Sequence, residues 1–334
     1  MRGKRSKLNK QADQNAFNTS KQNLLSARNQ CCSFTWTFLI SAALLLIPVS
    51  LIPEAWYGPL NRLTANLSVV FMRMMGMAPL VRGTNIRLTE FTVNVISECS
   101  AIHLIALFAA FILAFPAGMT RKLIGIAVGV VLISIVNSMR IGAITMIGQF
   151  YPNLFDVFHI YLGQLAMLSF VVFMCLFWCR CVSNSDFLER PAGFFLRFLC
   201  FSIVPFLLWL PLNRVYQHFV DGFVETLFSA ASYKIIIPLT HDFYYQSFSL
   251  VTMAGLLFAV KSVKLSTRLR WFAVGFFVLT LLQIAIRICN TWITAFHMQW
   301  VEAVSQIIYF LCTQAIPLGI GLLFVMKVRA EKIQ

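Results

Sequence analysis

The chain has 334 residues, of which 59% are hydrophobic and 12% charged, with a mean hydropathy of +0.78; soluble domains run at about 45–50% apolar and about 25% charged. A soluble globule is excluded, and recurring apolar runs of about 18 residues or more, each able to cross about 30 Å of hydrocarbon, identify a polytopic membrane protein. The net charge of +15 is read as membrane topology rather than nucleic-acid binding, and the nine cysteines, mostly inside apolar runs, do not form a disulfide framework.

Residues 1–30 carry seven Lys or Arg against one acid, Asp13, and are expected to form a disordered cytoplasmic tail. The apolar run 33–52 is expected to be a retained anchor, because it lacks the small-residue cleavage site of a signal peptide. Residues 63–80 are apolar but broken by Arg73, Gly76 and Pro79, which suits a helix lying at the outer surface. Next, Ile86 and Leu88, then Phe91, Val93 and Val95, alternate with polar residues, so a small external β-hairpin is expected to feed the span that begins at Cys99. Further spans are expected over 99–117, 123–150, 159–178, 194–212, 247–261, 271–293 and 303–325. The fold class is thus an all-α polytopic membrane protein of about eight transmembrane helices.

With the tail in the cytoplasm, 19 of the 27 Lys and Arg fall in inside segments, six fall outside, and Arg140 and Arg287 lie within spans. The positive-inside rule then places both termini in the cytoplasm of a multi-pass protein of the cytoplasmic (inner) membrane.

Ionisable groups within spans point to function. Arg140 lies 17 residues after Leu123, about 26 Å along a helix entering from the cytoplasm and so near the outer boundary. Cys99 and His159 begin two other spans at that same boundary. A thiol, a guanidinium and an imidazole at one depth suit nucleophilic catalysis, since a cation favours the thiolate and an imidazole passes a proton to a leaving group. Each also has a structural reading: inert filler, an arginine snorkelling to headgroups, a helix cap. His103, one turn after Cys99 on the same face, competes with His159 as the base. Asn137, one turn before Arg140, is a candidate to orient it, and Asp156, three residues before His159, is a further auxiliary; a helix-interface hydrogen bond and a solvated acid are the alternatives. Cys175, Cys179 and Cys181 lack a second metal-type pair, so neither metal nor cofactor is expected.

Three motifs carry a resemblance: Val95-Ile-Ser-Glu-Cys-Ser-Ala-Ile at the start of a span, Asn137-Ser-Met-Arg-Ile-Gly late in the next, and Phe158-His-Ile-Tyr at the start of the third. Their order and spacing over about residues 80–180 resemble the exosortase/archaeosortase family, polytopic membrane cysteine transpeptidases. The resemblance implies Cys99 as nucleophile, Arg140 as thiolate or oxyanion stabiliser and His159 as general acid/base; histidine at the third position is similar to the bacterial exosortase branch. The family generally has glycine two residues after the cysteine, and this chain has Ala101. It also implies a thiol protease acting at the outer side of the membrane. Its partners would be the bilayer and exported proteins that end in a short motif, a transmembrane helix and a basic cluster.

Residues 194–334 repeat the order of the first half, with a span, an outer segment at 214–232, an extended stretch at 235–248 and three further spans, and Arg287 stands 16 residues after Trp271, at nearly the depth of Arg140, so a parallel four-plus-four pseudo-repeat is expected. Counting back from Arg287 by the Cys99–Arg140 separation reaches Gln246, near Ser247 and Ser249, and finds no cysteine; His297 follows Arg287 by only 10 residues. Three regions are expected: a basic tail (1–30), a catalytic exosortase-like core (31–182) and a C-terminal four-helix half (183–334), a degenerate repeat suited to docking a substrate tail. The rival functions are a multi-span transporter, which would place its polar groups at midplane, and a non-catalytic scaffold.

Overall fold

The computed structural model describes residues 33–183, 191–233, 235, 237, 245–261, 263–298 and 300–332. The basic tail and most of the extended stretch expected after residue 235 lie outside the described residues.

Among the described residues, six helices are long and apolar enough to cross a membrane. They arise from α1 (Ser33–Leu51), α4 (Met119–Phe150), α5 (Gly163–Ser183) with the turns before it, α6 (Pro191–Ala230), α8 (Leu265–Phe296), and the pair α9 (Trp300–Phe310) and α10 (Ile316–Lys332) joined by a π-helical turn at Leu311–Ala315. Two further apolar helices, α3 (Ile102–Ala114) and α7 (Phe248–Ala259), have 13 and 12 residues, only about 20 Å each. The eight apolar runs of the sequence are therefore six long helices and two short ones.

Both short helices stop where the chain turns extended, at Phe115 (ψ 138°) before Pro116 and at Val260 (ψ 123°). Cationic side chains hold the carbonyls left open there. Lys122 Nζ donates to Leu113 O (2.6 Å) at the end of α3. At the end of α7, Arg197 Nε donates to Ala259 O (2.9 Å), and Arg268 donates to Phe258 O and Val260 O (2.7 Å each). Positive charge at a helix C-terminus also complements the macrodipole.

The amphipathic run after α1 forms α2 (Gly58–Met74), which turns Asn61, Thr64, Ala65, Ser68, Val69 and Met72 inward at helical spacing. Its buried face packs on α4, where a Cβ at Gly142 would come within 2.8 Å of the Phe71 ring and 3.2 Å of Ser68 O. The expected hairpin is present as β2 (Asn85–Arg87) and β3 (Thr92–Asn94), paired Ile86 to Val93. An additional strand, β1 (Leu80–Arg82), pairs antiparallel with β2. Residues 77–80, read from hydropathy as helix, instead leave α2 after Gly76 at φ 81°, a conformation glycine adopts freely.

The second half repeats the first in detail. A short helix of 12–13 residues precedes one of 32 in both, and the span arginines stand 21 residues after Met119 and 22 after Leu265. The regions expected as a fifth span and an outer segment are one continuous helix: α6 has 40 residues with Pro205 and Pro211 inside it, about 60 Å in all and twice the hydrocarbon thickness.

Candidate active site

Cys99 lies in a 3-10 turn, Ser97–Ser100, immediately before α3, rather than in the helix itself. Its amide donates to Ile96 O (2.9 Å), and Ser100 Oγ donates to Ser97 O (2.6 Å). Glu54 anchors the turn from outside: one carboxylate oxygen accepts from the Ser97 amide (2.9 Å) and from Asn61 Nδ2 (3.0 Å). Ala101 then joins turn to helix at φ 59°, ψ 12°, in the left-handed region, where a Cβ costs roughly 1–2 kcal/mol. This is the position at which the resembling family generally carries glycine, and the torsion supplies the reason.

The thiol is 6% exposed, in a small core with Ala65, Val69 and Met72 of α2, Ile86 and Leu88 of the sheet, and Ile141 of α4. Burial raises its pKa; the Ile96 hydrogen bond and the Arg140 guanidinium pull it down, and Glu98 and Glu54 push it up. The net shift is upward, which favours the thiol over the thiolate. Glu98 is also raised, by burial and by Glu54.

Asn137 ties the cysteine turn to the span arginine. Fully buried, it donates through Nδ2 to Cys99 O (2.5 Å) and accepts at Oδ1 from Arg140 Nη1 (3.2 Å). The orienting contact considered from sequence is therefore present. Arg140 lies near enough to the Cys99 thiol and the His159 imidazole to act electrostatically on both. The approach is close because residue 163 is glycine: a Cβ there would stand 3.0 Å from Arg140 Nε and 2.9 Å from Phe158 O. His159 belongs to a π-helical turn, Val157–Leu162, and stacks on Phe155 (centroids 5.1 Å, planes 6° apart). π-turns inside helices occur frequently at functional sites. Asp156 precedes this turn and interacts with His159 electrostatically.

His103 is placed differently. It is 6% exposed, stacks on Phe310 of α9 (3.5 Å, 12°), and its Nε2 has no partner. It lines a cavity together with Glu98, Arg140 and Gln164. The residues that sequence reasoning left without a role are Glu54 and Glu98. Their one signal was scarcity, because only 12 acids occur in the chain and each of these two borders an expected span.

The second half carries a similar hydrogen-bonded frame with no cysteine at the corresponding position. Gln283, one turn before Arg287, donates to Gln246 O (3.0 Å) as Asn137 does to Cys99 O, and Ser249 Oγ donates to Gln246 O (2.7 Å) as Ser100 does to Ser97. This serine register sets Phe248, rather than Gln246, opposite Cys99. Arg287 is engaged bidentately by Asp221 (2.5 and 3.0 Å), whereas Arg140 Nε has no partner. His297 is the left-handed cap of α8 (φ 55°). No group of three or more His, Cys, Asp or Glu able to hold a metal occurs among the described residues.

Residues 25–179 match the sequence profile of one family, described as transmembrane exosortase. No curated protein and no solved structure gives a significant match.

Proposed function

We propose that the protein is a membrane-embedded cysteine protease or transpeptidase that removes the C-terminal sorting tail of exported proteins, a reading supported by the match of residues 25–179 to the transmembrane exosortase profile. The observation that carries this reading is the Cys99–Asn137–Arg140 chain of hydrogen bonds, which couples a buried thiol turn to an otherwise unpaired guanidinium.

In the proposed reaction Cys99 Sγ adds to the scissile carbonyl carbon as its proton passes to His159. Arg140 stabilises the negative charge, first on sulfur and then on the carbonyl oxygen. The C–N bond breaks, His159 protonates the departing amine, and a thioester remains. Water or an acceptor amine then attacks the thioester carbon, the C–S bond breaks, and the thiol is restored. The raised thiol pKa favours a pathway in which proton removal accompanies attack over one that begins from a resting thiolate. Asn137 and Asp156 act as positioning groups for Arg140 and His159.

The positive-inside pattern supports an orientation with both termini in the cytoplasm and the cysteine turn at the outer face of the inner membrane. A substrate helix with its basic end inside would then present its short motif to Cys99. We assign residues 31–182 the chemistry and 183–334 a supporting role as an inactive copy.

The test is an in-cell processing assay with a reporter bearing a secreted domain, a randomised short segment, an apolar helix and a Lys/Arg cluster. Tail loss with wild type, abolished by Cys99→Ala at equal expression, is the expected result. A library left uncut by wild type, or cut equally by Cys99→Ala, would overturn the assignment and move the weight to a transporter or scaffold.

A further inference from the structure

The cavity beside the cysteine turn is built by both halves of the chain. The first half supplies Glu98, His103, Arg140 and Gln164; the second supplies Thr313 and Gln314. Three buried polar atoms on its lining residues have no hydrogen-bond partner: His103 Nε2, Arg140 Nε and Gln314 Oε1. His103 is itself 6% exposed, so its orphaned nitrogen is sealed from bulk solvent. Buried polar groups are normally paired, and three orphans around one space mark a place where something polar belongs. The second-half residues sit in the π-helical turn Leu311–Ala315, and His159 sits in the other π-helical turn, Val157–Leu162.

The lining also restricts what would fit. Glu98 and Arg140 are opposite charges on one cavity, so neither a cationic nor an anionic group is favoured outright. Arg140 Nε–H offers a donor and Gln314 Oε1 an acceptor, the pair that a peptide group satisfies with its C=O and N–H. Phe310, stacked on His103, and Tyr309 give apolar walls.

We propose that this cavity is the subsite for the extended peptide segment next to the scissile bond, with Gln314 of the C-terminal half as a specificity-determining residue that accepts a hydrogen bond from the substrate main chain or from an uncharged polar side chain. The inference rests on the exosortase reading above and gives the second half a direct part in substrate choice.

The randomised-segment reporter tests it. Wild type selects a set of cleaved sequences; Gln314→Leu is expected to shift that set at one position and to lower kcat/KM for the preferred wild-type sequence by about tenfold, the effect of one lost buried hydrogen bond. Cys99 alkylation by a small maleimide is expected to remain at the wild-type rate, which separates lost recognition from a damaged site or a misfolded protein. Should Gln314→Leu fail to accumulate, a photo-crosslinking residue at Thr313 in the Cys99→Ala background replaces it. The preferred reporter should then crosslink at Thr313 and not at the exposed Phe277 of α8. Selection and kinetics identical to wild type in Gln314→Leu, or crosslinking at Phe277 but not at Thr313, would overturn the subsite. A library uncut by wild type would instead overturn the exosortase reading itself.

Discussion

Replacing Asn137 with alanine removes a side chain that hydrogen-bonds both the cysteine turn and the span arginine. Two hydrogen bonds go with it: the neutral one to Cys99 O at 2.5 Å and the charge-assisted one from Arg140 at 3.2 Å. A net value of about 0.5–1.5 kcal/mol for the first and about 1.5–3 for the second gives a loss of roughly 2–4 kcal/mol. For a chain of this size that corresponds to a fall in the thermal midpoint on the order of 3–6 °C. The assay is the heated-sample elution profile in detergent, run beside the rate of Cys99 alkylation. Asn137→Leu fills the volume that alanine leaves empty and separates lost hydrogen bonding from a cavity. In a double-mutant cycle, Arg140→Ala should cost less in the Asn137→Ala background than in wild type, because one bond is shared. Strict additivity, or a midpoint and alkylation rate unchanged from wild type, would refute the coupling.

Two further outcomes follow from the electrostatics. Cys99 alkylation should rise with pH through a midpoint above the ordinary thiol range of about 8.5, because burial is the largest influence on it. Arg140→Gln removes a lowering influence and should slow labelling at fixed pH, while Glu98→Gln removes a raising one and should speed it; equal rates in both variants would contradict this balance. In the second half, Asp221→Ala strands the Arg287 guanidinium, whose side chain is 12% exposed, and should cost about 3–5 kcal/mol, whereas Asp221→Leu with Arg287→Met should be near neutral. Thermal midpoints of the two variants read the difference.

The helical fold was legible in the sequence because a bilayer demands long apolar runs, and hydropathy reads those directly. What it misread were places where hydropathy and backbone conformation part company. Cys99 looked like the first residue of a span because the run of apolar residues starts there, yet Ala101 at φ 59° ends a separate turn before the helix begins. Residues 194–212 and 214–232 looked like a span and an outer segment, since Arg214 interrupts the apolar run; a polar side chain does not break a helix, and α6 continues to Ala230. Strand β1 was hidden in an apolar stretch too short to show a period. At the candidate site, the grouping of Cys99, Arg140 and Asn137 was legible from depth and one-turn spacing, both local quantities. The cavity was not, because Gln314 and His103 come to line one space only through long-range packing of the turn Leu311–Ala315 against α3.

Ala101 also bears on how such a site drifts over time. What the cysteine turn requires at that point is a torsion, and a residue type only through the torsion. One methyl group in the left-handed region carries a penalty smaller than the loss of a typical core contact, so glycine can give way to alanine while the path of the backbone, and with it the aim of the thiol, is retained. A β-branched residue cannot make the same exchange. The heritable feature is a bend in the chain, and its spelling is free to vary among the few side chains small enough to follow it.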